Sequence, residues 1–293
     1  LTSTSEGGRV SQSYSTGAVS GHRHVGGLVG FNVGAVTQCW HGTGGVTGNL
    51  FTGGLLGSNY SSVSNSYSNC GVNGGSYVGG LIGSVSNGRV WNCYSAGTVS
   101  GTSNKGGLVG SGLLRCVEDG DCFWDSQIIP TLVGTNTGGT PLPTDEMQDI
   151  LTYVDAGWDF VGEMTNGTDE IWQIPDEGGY PILNVDGPGT PPEMRGKGTA
   201  DDPYLVSDAA EIKAIWRYPT AYYRLATDID LSGITWPAAV VPDFSGTFDG
   251  NDLCIRNMTI TGRRHLGLFG RLSSNARILR LSMVEVDVYG TGD

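Results

Sequence analysis

The sequence predicts an all-β chain wound as a parallel β-helix, with coils of 26–27 residues and small α/β capping segments. Three observations carry this. The stretch Val25-Gly26-Gly27-Leu28-Val29-Gly30 returns as Thr52-Gly53-Gly54-Leu55-Leu56-Gly57, Val78-Gly79-Gly80-Leu81-Ile82-Gly83 and Lys105-Gly106-Gly107-Leu108-Val109-Gly110, with starting glycines 27, 26 and 27 residues apart. A second landmark keeps the same step: Val10…Tyr14, Val36…Trp40, Val63…Tyr67 and Val90…Tyr94. Each unit is three short β-prone pieces separated by Gly, Ser and Asn, without the i, i+3, i+4, i+7 pattern of a helix. Such a unit buries its apolar face only by stacking on its neighbours.

Within a coil the glycine pairs are expected at corners, supplying φ > 0 where the chain turns in and leaving Leu and Val to fill the interior. A polar residue stands two after each landmark valine: Gln12, Gln38, Asn65 and Asn92. In register these are expected to form a structural ladder of amides along the stack. Residues 113–126 keep Val117 in phase and lose the rest of the pattern, which reads as a last coil with a hairpin inserted at 118–121.

The Gly-Gly-Leu-Val-Gly signature, with Gly88 to Gly101 reading Gly-x-Val-x-x-Cys-Tyr-Ser-x-Gly-x-Val-Ser-Gly between copies, resembles the GLUG-motif repeats. The resemblance covers residues 8–125. It implies a right-handed β-solenoid in an extracellular setting, secreted or at the surface of a bacterial cell and adhesin-like, with no defined chemistry.

Four regions follow in order. Residues 1–126 are the GLUG-type coils, and 127–184 their C-terminal cap. Within the cap, 144–155 offers a helix with Thr144 as N-cap and Met147, Ile150, Leu151 and Val154 as its apolar stripe. The order Phe-Trp-Asp, Gly-Trp-Asp-Phe-Val-Gly, Ile-Trp and Tyr-Pro-x-Leu resembles the ends of GLUG-type units. Residues 185–200 form a Gly/Pro linker, stiffened by Pro188, Pro191 and Pro192. Residues 201–293 resemble the N-terminal cap and first coils of a following solenoid: a helix from Ser207 or Asp208 to Trp216, then strands, with His265 to Gly270 as a drifted copy of the signature. The open coil edges at the two ends are strand templates. They suit stacking head to tail, in cis or on other copies or adjacent repeats of a longer parent.

Charge narrows the partners. Residues 1–126 hold 5 Lys/Arg and 5 Asp/Glu, and residues 127–293 hold 11 and 24, which is the whole net charge of −13. That balance argues against nucleic acid and anionic membranes, and no apolar run is long enough to span a membrane.

The candidate site residues each have a structural alternative. Tyr14, Trp40, Tyr67 and Tyr94 are in register. Turned outward they make an aromatic stripe for cell-surface or plant-type glycans, and turned inward a core stack. Alternation from the landmark valine favours inward. Glu118, Asp119, Asp121 and Asp125 offer oxygen ligands to calcium, the one cofactor considered, although a solvated turn is the preferred reading. Cys116 and Cys122 flank the proposed hairpin and are the disulfide candidates. Cys39 and Cys93 lie two coils apart, about 9.6 Å by strand spacing and too far to bridge. Asp228, Asp230, Asp249 and Asp252 read as turn caps. A polysaccharide lyase needs a groove of carboxylates with Arg or Lys as base, and a glycosidase two facing carboxylates, whereas residues 1–112 contain only Glu6 among acids. The chain is therefore read as non-enzymatic.

Overall fold

The computed structural model describes residues 3–4, 8–112, 121–129, 138–161, 166–167, 169–175, 178–184, 194–236, 238–262 and 264–290. It is a β-solenoid of parallel coils, with about nine turns in all. Two compact units divide it: Leu1–Met147 with Ala156–Trp158, and Gln148–Asp155 with Asp159–Asp293. The boundary falls inside residues 127–184, so the stretch expected to act as one cap is shared between the units.

The first unit has three faces, one for each β-prone piece of the repeat. On the first face Val10, Val36, Val63 and Val90 lie in register. On the second, Gly26, Gly53, Gly79 and Gly106 lie directly over one another. On the third, Val29, Leu56, Ile82 and Val109 do the same. The glycine segments are thus stacked as the period requires. Their Leu and Val side chains join the landmark valines in one core, where Leu55, Leu56, Val63, Leu81, Ile82 and Val90 have no exposed surface. Each such side chain contributes roughly 1.5–3 kcal/mol of burial. Coil lengths of 26 and 27 differ by single residues placed at corners. One more residue separates Trp40 from Val46 than Tyr14 from Val19, and one more separates Ile82 from Val90 than Leu56 from Val63.

The glycine pairs work differently from the expectation. None of them has positive φ. Space, rather than backbone conformation, excludes a side chain. A Cβ on Gly54 would meet the Ser68 hydroxyl and the Gly80 carbonyl, and one on Gly80 would meet the Gly107 carbonyl and Ser95. Positive φ instead falls on Gln12, Gln38, Asn65 and Asn92, at 47–53°. These four are the bends of the first face, and they form no amide ladder: Asn65 Oδ1 and Asn92 Oδ1 are buried without a hydrogen bond. Asn suits this backbone because its short polar side chain tolerates the left-handed region. The hydrogen-bonded amide pair lies elsewhere, from Asn32 Nδ2 to Asn59 Oδ1 at 2.7 Å.

Past the regular coils, Phe123–Asp125 pairs with the first face through Tyr94↔Phe123, and Thr140–Leu142 adds one further strand. The in-phase Val117 and the hairpin at 118–121 lie outside the described residues, apart from Asp121. The predicted helix at 144–155 is two short ones, Thr144–Met147 and Ile150–Val154. Asp149 breaks it by turning its carboxylate onto the Leu151 amide at 3.0 Å, starting the second helix afresh.

In the second unit Tyr204–Val206, Tyr222–Leu225, Thr247–Asp249 and Arg277–Leu279 form a four-stranded parallel sheet. Further parallel ladders join Ile229 to Ile255 to Met283, Thr235 to Thr259 to Asp287, and Val241 to Phe269. The helix Ala209–Ala214 and a 3-10 turn Ile215–Arg217 precede the coils. Asp208 caps the helix through the Glu211 amide, and Glu211 accepts from the Ser207 amide in return. Ile212 and Ile215 enter a core with Leu225, Phe244, Phe248 and Ile255.

Candidate functional site

The bend at Gln12, Gln38, Asn65 and Asn92 decides where the aromatic residues go. Alternation counted from the valine would send the ring inward, but a left-handed residue inside the strand resets it. The residue after the bend turns inward, and Cys39 and Cys93 lie in the same core as the valines. One position beyond the ring the chain is inside again. There Ser15 and Ser95 donate to the carbonyls of Gly27 and Gly107, at 2.7 and 2.6 Å. The rings between these positions therefore stand on the outer side of the coil.

They form a ladder. Tyr14–Trp40, Trp40–Tyr67 and Tyr67–Tyr94 have centroids 4.7, 5.7 and 5.0 Å apart and planes within 5° of parallel. Tyr14 is 63 % exposed and Trp40 half-buried, whereas Tyr67 and Tyr94 are buried. Burial pushes the Tyr67 phenol well above its ordinary pKa. A sugar ring stacks on an aromatic face, and here the faces are occupied by one another. Solvent meets Tyr14 and part of Trp40, while Tyr67 and Tyr94 are covered.

A second aromatic ladder went unseen in the sequence. His24 stacks on Phe51 at 5.1 Å and Phe51 on Tyr77 at 5.0 Å, both with 18° between planes. All three have left-handed backbone, with φ of 52, 57 and 59°. That conformation costs a side chain roughly 1–2 kcal/mol, offset in part by stacking worth about 0.5–1.5 kcal/mol per pair. The Arg23 guanidinium lies over Phe51 at 5.6 Å. His24 Nδ1 shares a hydrogen bond with Ser58 at 2.7 Å, and burial together with Arg23 lowers its pKa. Three different residue types fill one column, so no repeated letter marks it.

Of the proposed calcium cluster, Glu118 and Asp119 lie outside the described residues. Asp125 is buried and accepts from the amides of Gln127 and Ile128 at 2.8 and 3.0 Å, the geometry of a turn cap. Asp121 is exposed, and its carbonyl accepts from Trp158 Nε1. Among the described residues no three His, Cys, Asp or Glu side chains converge as a metal site. Cys116 also lies outside the described residues, and Cys122 is buried with its thiol toward the Val90 carbonyl. Cys39 and Cys93 are free thiols, each bonded to a carbonyl two residues back.

The aspartates of the second unit cap turns and also tie one coil to the next. Asp230 accepts from the Ser232 amide, and Asp249 from that of Asn251. Arg256 reaches Asp228 at 2.9 Å, Arg271 reaches Asp243 at 3.0 Å, and Arg280 grips Asp249 at 2.6 Å and Asp252 at 3.1 Å. These contacts hold three carboxyls below the ordinary aspartate value of 3.8. The Cys254 backbone amide leads at Asp228, the Asn257 side-chain amide at Asp230 and the Arg280 guanidinium at Asp249. A depressed carboxyl contributes stability that is present above its unfolded value and lost as pH falls through the folded one. Residues 8–112 contain no Asp or Glu at all. Acidification below pH 3.8 is therefore expected to loosen the second unit first, followed by amide NMR signals of each unit during an acid titration.

Stacked parallel coils with outward side-chain ladders define the chain as a β-solenoid. Over 110 residues, 33 % of this chain, it is 37 % identical to Halomucin of Haloquadratum walsbyi, and the match spans 1 % of that protein. No protein family and no solved structure matches the chain. No described helix is long and apolar enough to cross a membrane.

Proposed function

We propose that this chain is a non-catalytic β-solenoid module of a secreted or cell-surface protein, serving a structural and adhesive role and stacking head to tail through its coil edges. One observation carries the reading. The parallel strands Arg277–Leu279, Ser282–Val284 and Asp287–Gly290 leave Leu279, Val284, Val288 and Tyr289 exposed. Exposed apolar strands of that kind recruit a further strand. The likeness to Halomucin supports a surface setting. The absence of any carboxylate in residues 8–112 leaves no pair of facing carboxylates on the regular coil faces. The test is light scattering and electron microscopy of the wild type beside a Val284→Lys, Val288→Lys variant, which charges the edge at exposed positions. End-to-end oligomers that disappear in the variant support stacking, and a wild type that stays monomeric at every concentration overturns it.

A further inference from the structure

The second unit holds a cavity of about 160 Å³ that the stacking role does not use. Its walls come from two parts of that unit far apart in sequence. Gln148 and Gln173 precede the coils, whereas Lys213, Trp216, Arg217 and Trp236 belong to the helical turn and the first coil. A cavity of about 150 Å³ accommodates a single six-membered ring. The two indoles supply apolar walls, and both are half-buried, so the space is reached from solvent. Around them stand two amides and two cationic side chains, all able to donate hydrogen bonds. The amides of Gln148 and Gln173 are not engaged by other described side chains.

A wall of this composition fits a ring that is apolar on its faces and polyhydroxylated around its edge. We infer that the cavity is a binding site for one pyranose ring of a glycan. The indoles pack against the C–H face of the sugar, and Gln148, Gln173, Lys213 and Arg217 hydrogen-bond its hydroxyls. A purely aromatic ligand leaves the side-chain amides of Gln148 and Gln173 unmatched, which costs affinity. The site is distinct from the Tyr14 ladder, whose ring faces are already covered. It is also independent of whether the coil edges stack.

The test uses the whole chain. Methyl glycosides of glucose and galactose, their uronic acid counterparts, and benzoate as a ring without hydroxyls are titrated by calorimetry and tryptophan fluorescence. At least one glycoside is expected to bind and benzoate to bind more weakly. Uronate against neutral sugar then reads whether Lys213 and Arg217 select for charge. A Gln148→Ala, Gln173→Ala variant is expected to bind about tenfold more weakly at an unchanged melting midpoint, the effect of two lost hydrogen bonds. Trp40→Ala, in the first unit, is expected to bind as the wild type does. Failure of every glycoside to bind, stronger binding of benzoate, or full affinity in the double glutamine variant overturns the proposal.

Discussion

Gly80→Ala is expected to lower the unfolding free energy of the first solenoid by about 3 kcal/mol, the upper end of the usual cost of overpacking. The new methyl would meet the Gly107 carbonyl of the next coil and Ser95 across the interior. Neither neighbour retreats cheaply: the carbonyl accepts from both the Gly80 amide and the Ser95 hydroxyl. Gly17→Ala makes the same chemical change where nothing lies within 4 Å of the added carbon. That variant is expected within about 0.5 kcal/mol of the wild type, as for most surface substitutions. Urea midpoints of the two variants check the contrast. Equal midpoints would mean that the glycine columns are not close-approach sites.

Leu81→Ala is expected to cost a similar amount, about 3 kcal/mol, by a different route. Leu81 is fully buried among residues of the first and third faces, and truncating such a side chain forfeits its transfer energy and leaves a cavity. Its carbonyl accepts from the amides of Leu55 and Leu56 at 2.8 and 3.0 Å, and its own amide donates to Leu108 at 2.9 Å. The substitution leaves those bonds in place and removes the packing that protects them. Amide exchange at Leu55 and Leu56 is therefore expected to accelerate along with a fall in the urea midpoint. In a stack where each coil leans on its neighbours, a defect in the third coil reaches both sides.

The period, the stacking of the glycine segments and the burial of the Leu and Val residues were legible because identical letters recur in phase. The orientation of Tyr14, Trp40, Tyr67 and Tyr94 was not. It hangs on left-handed backbone at Gln12, Gln38, Asn65 and Asn92. Asn hints at such a conformation, but Gln does not, so simple alternation does not show the bend. The glycine pairs misled in the opposite direction. A glycine reads as a turn maker, whereas here the absent side chain makes room for a facing serine or carbonyl. The column of His24, Phe51 and Tyr77 escaped notice because stacking selects flat rings rather than one residue type. The ion pairs of the second unit join residues about 28 apart at irregular steps. The cavity joins Gln148 to Trp236, a distance in the chain that no local pattern spans.

The single-residue differences between coils carry a consequence for how such chains grow. An added residue between Trp40 and Val46, or between Ile82 and Val90, leaves every ladder above and below it in phase. Variation is thereby channelled to the seams where one wall meets the next. Loops of new length and chemistry are accommodated there while the walls themselves stay fixed. A lineage of these chains can diversify its outward display and keep its scaffold unchanged.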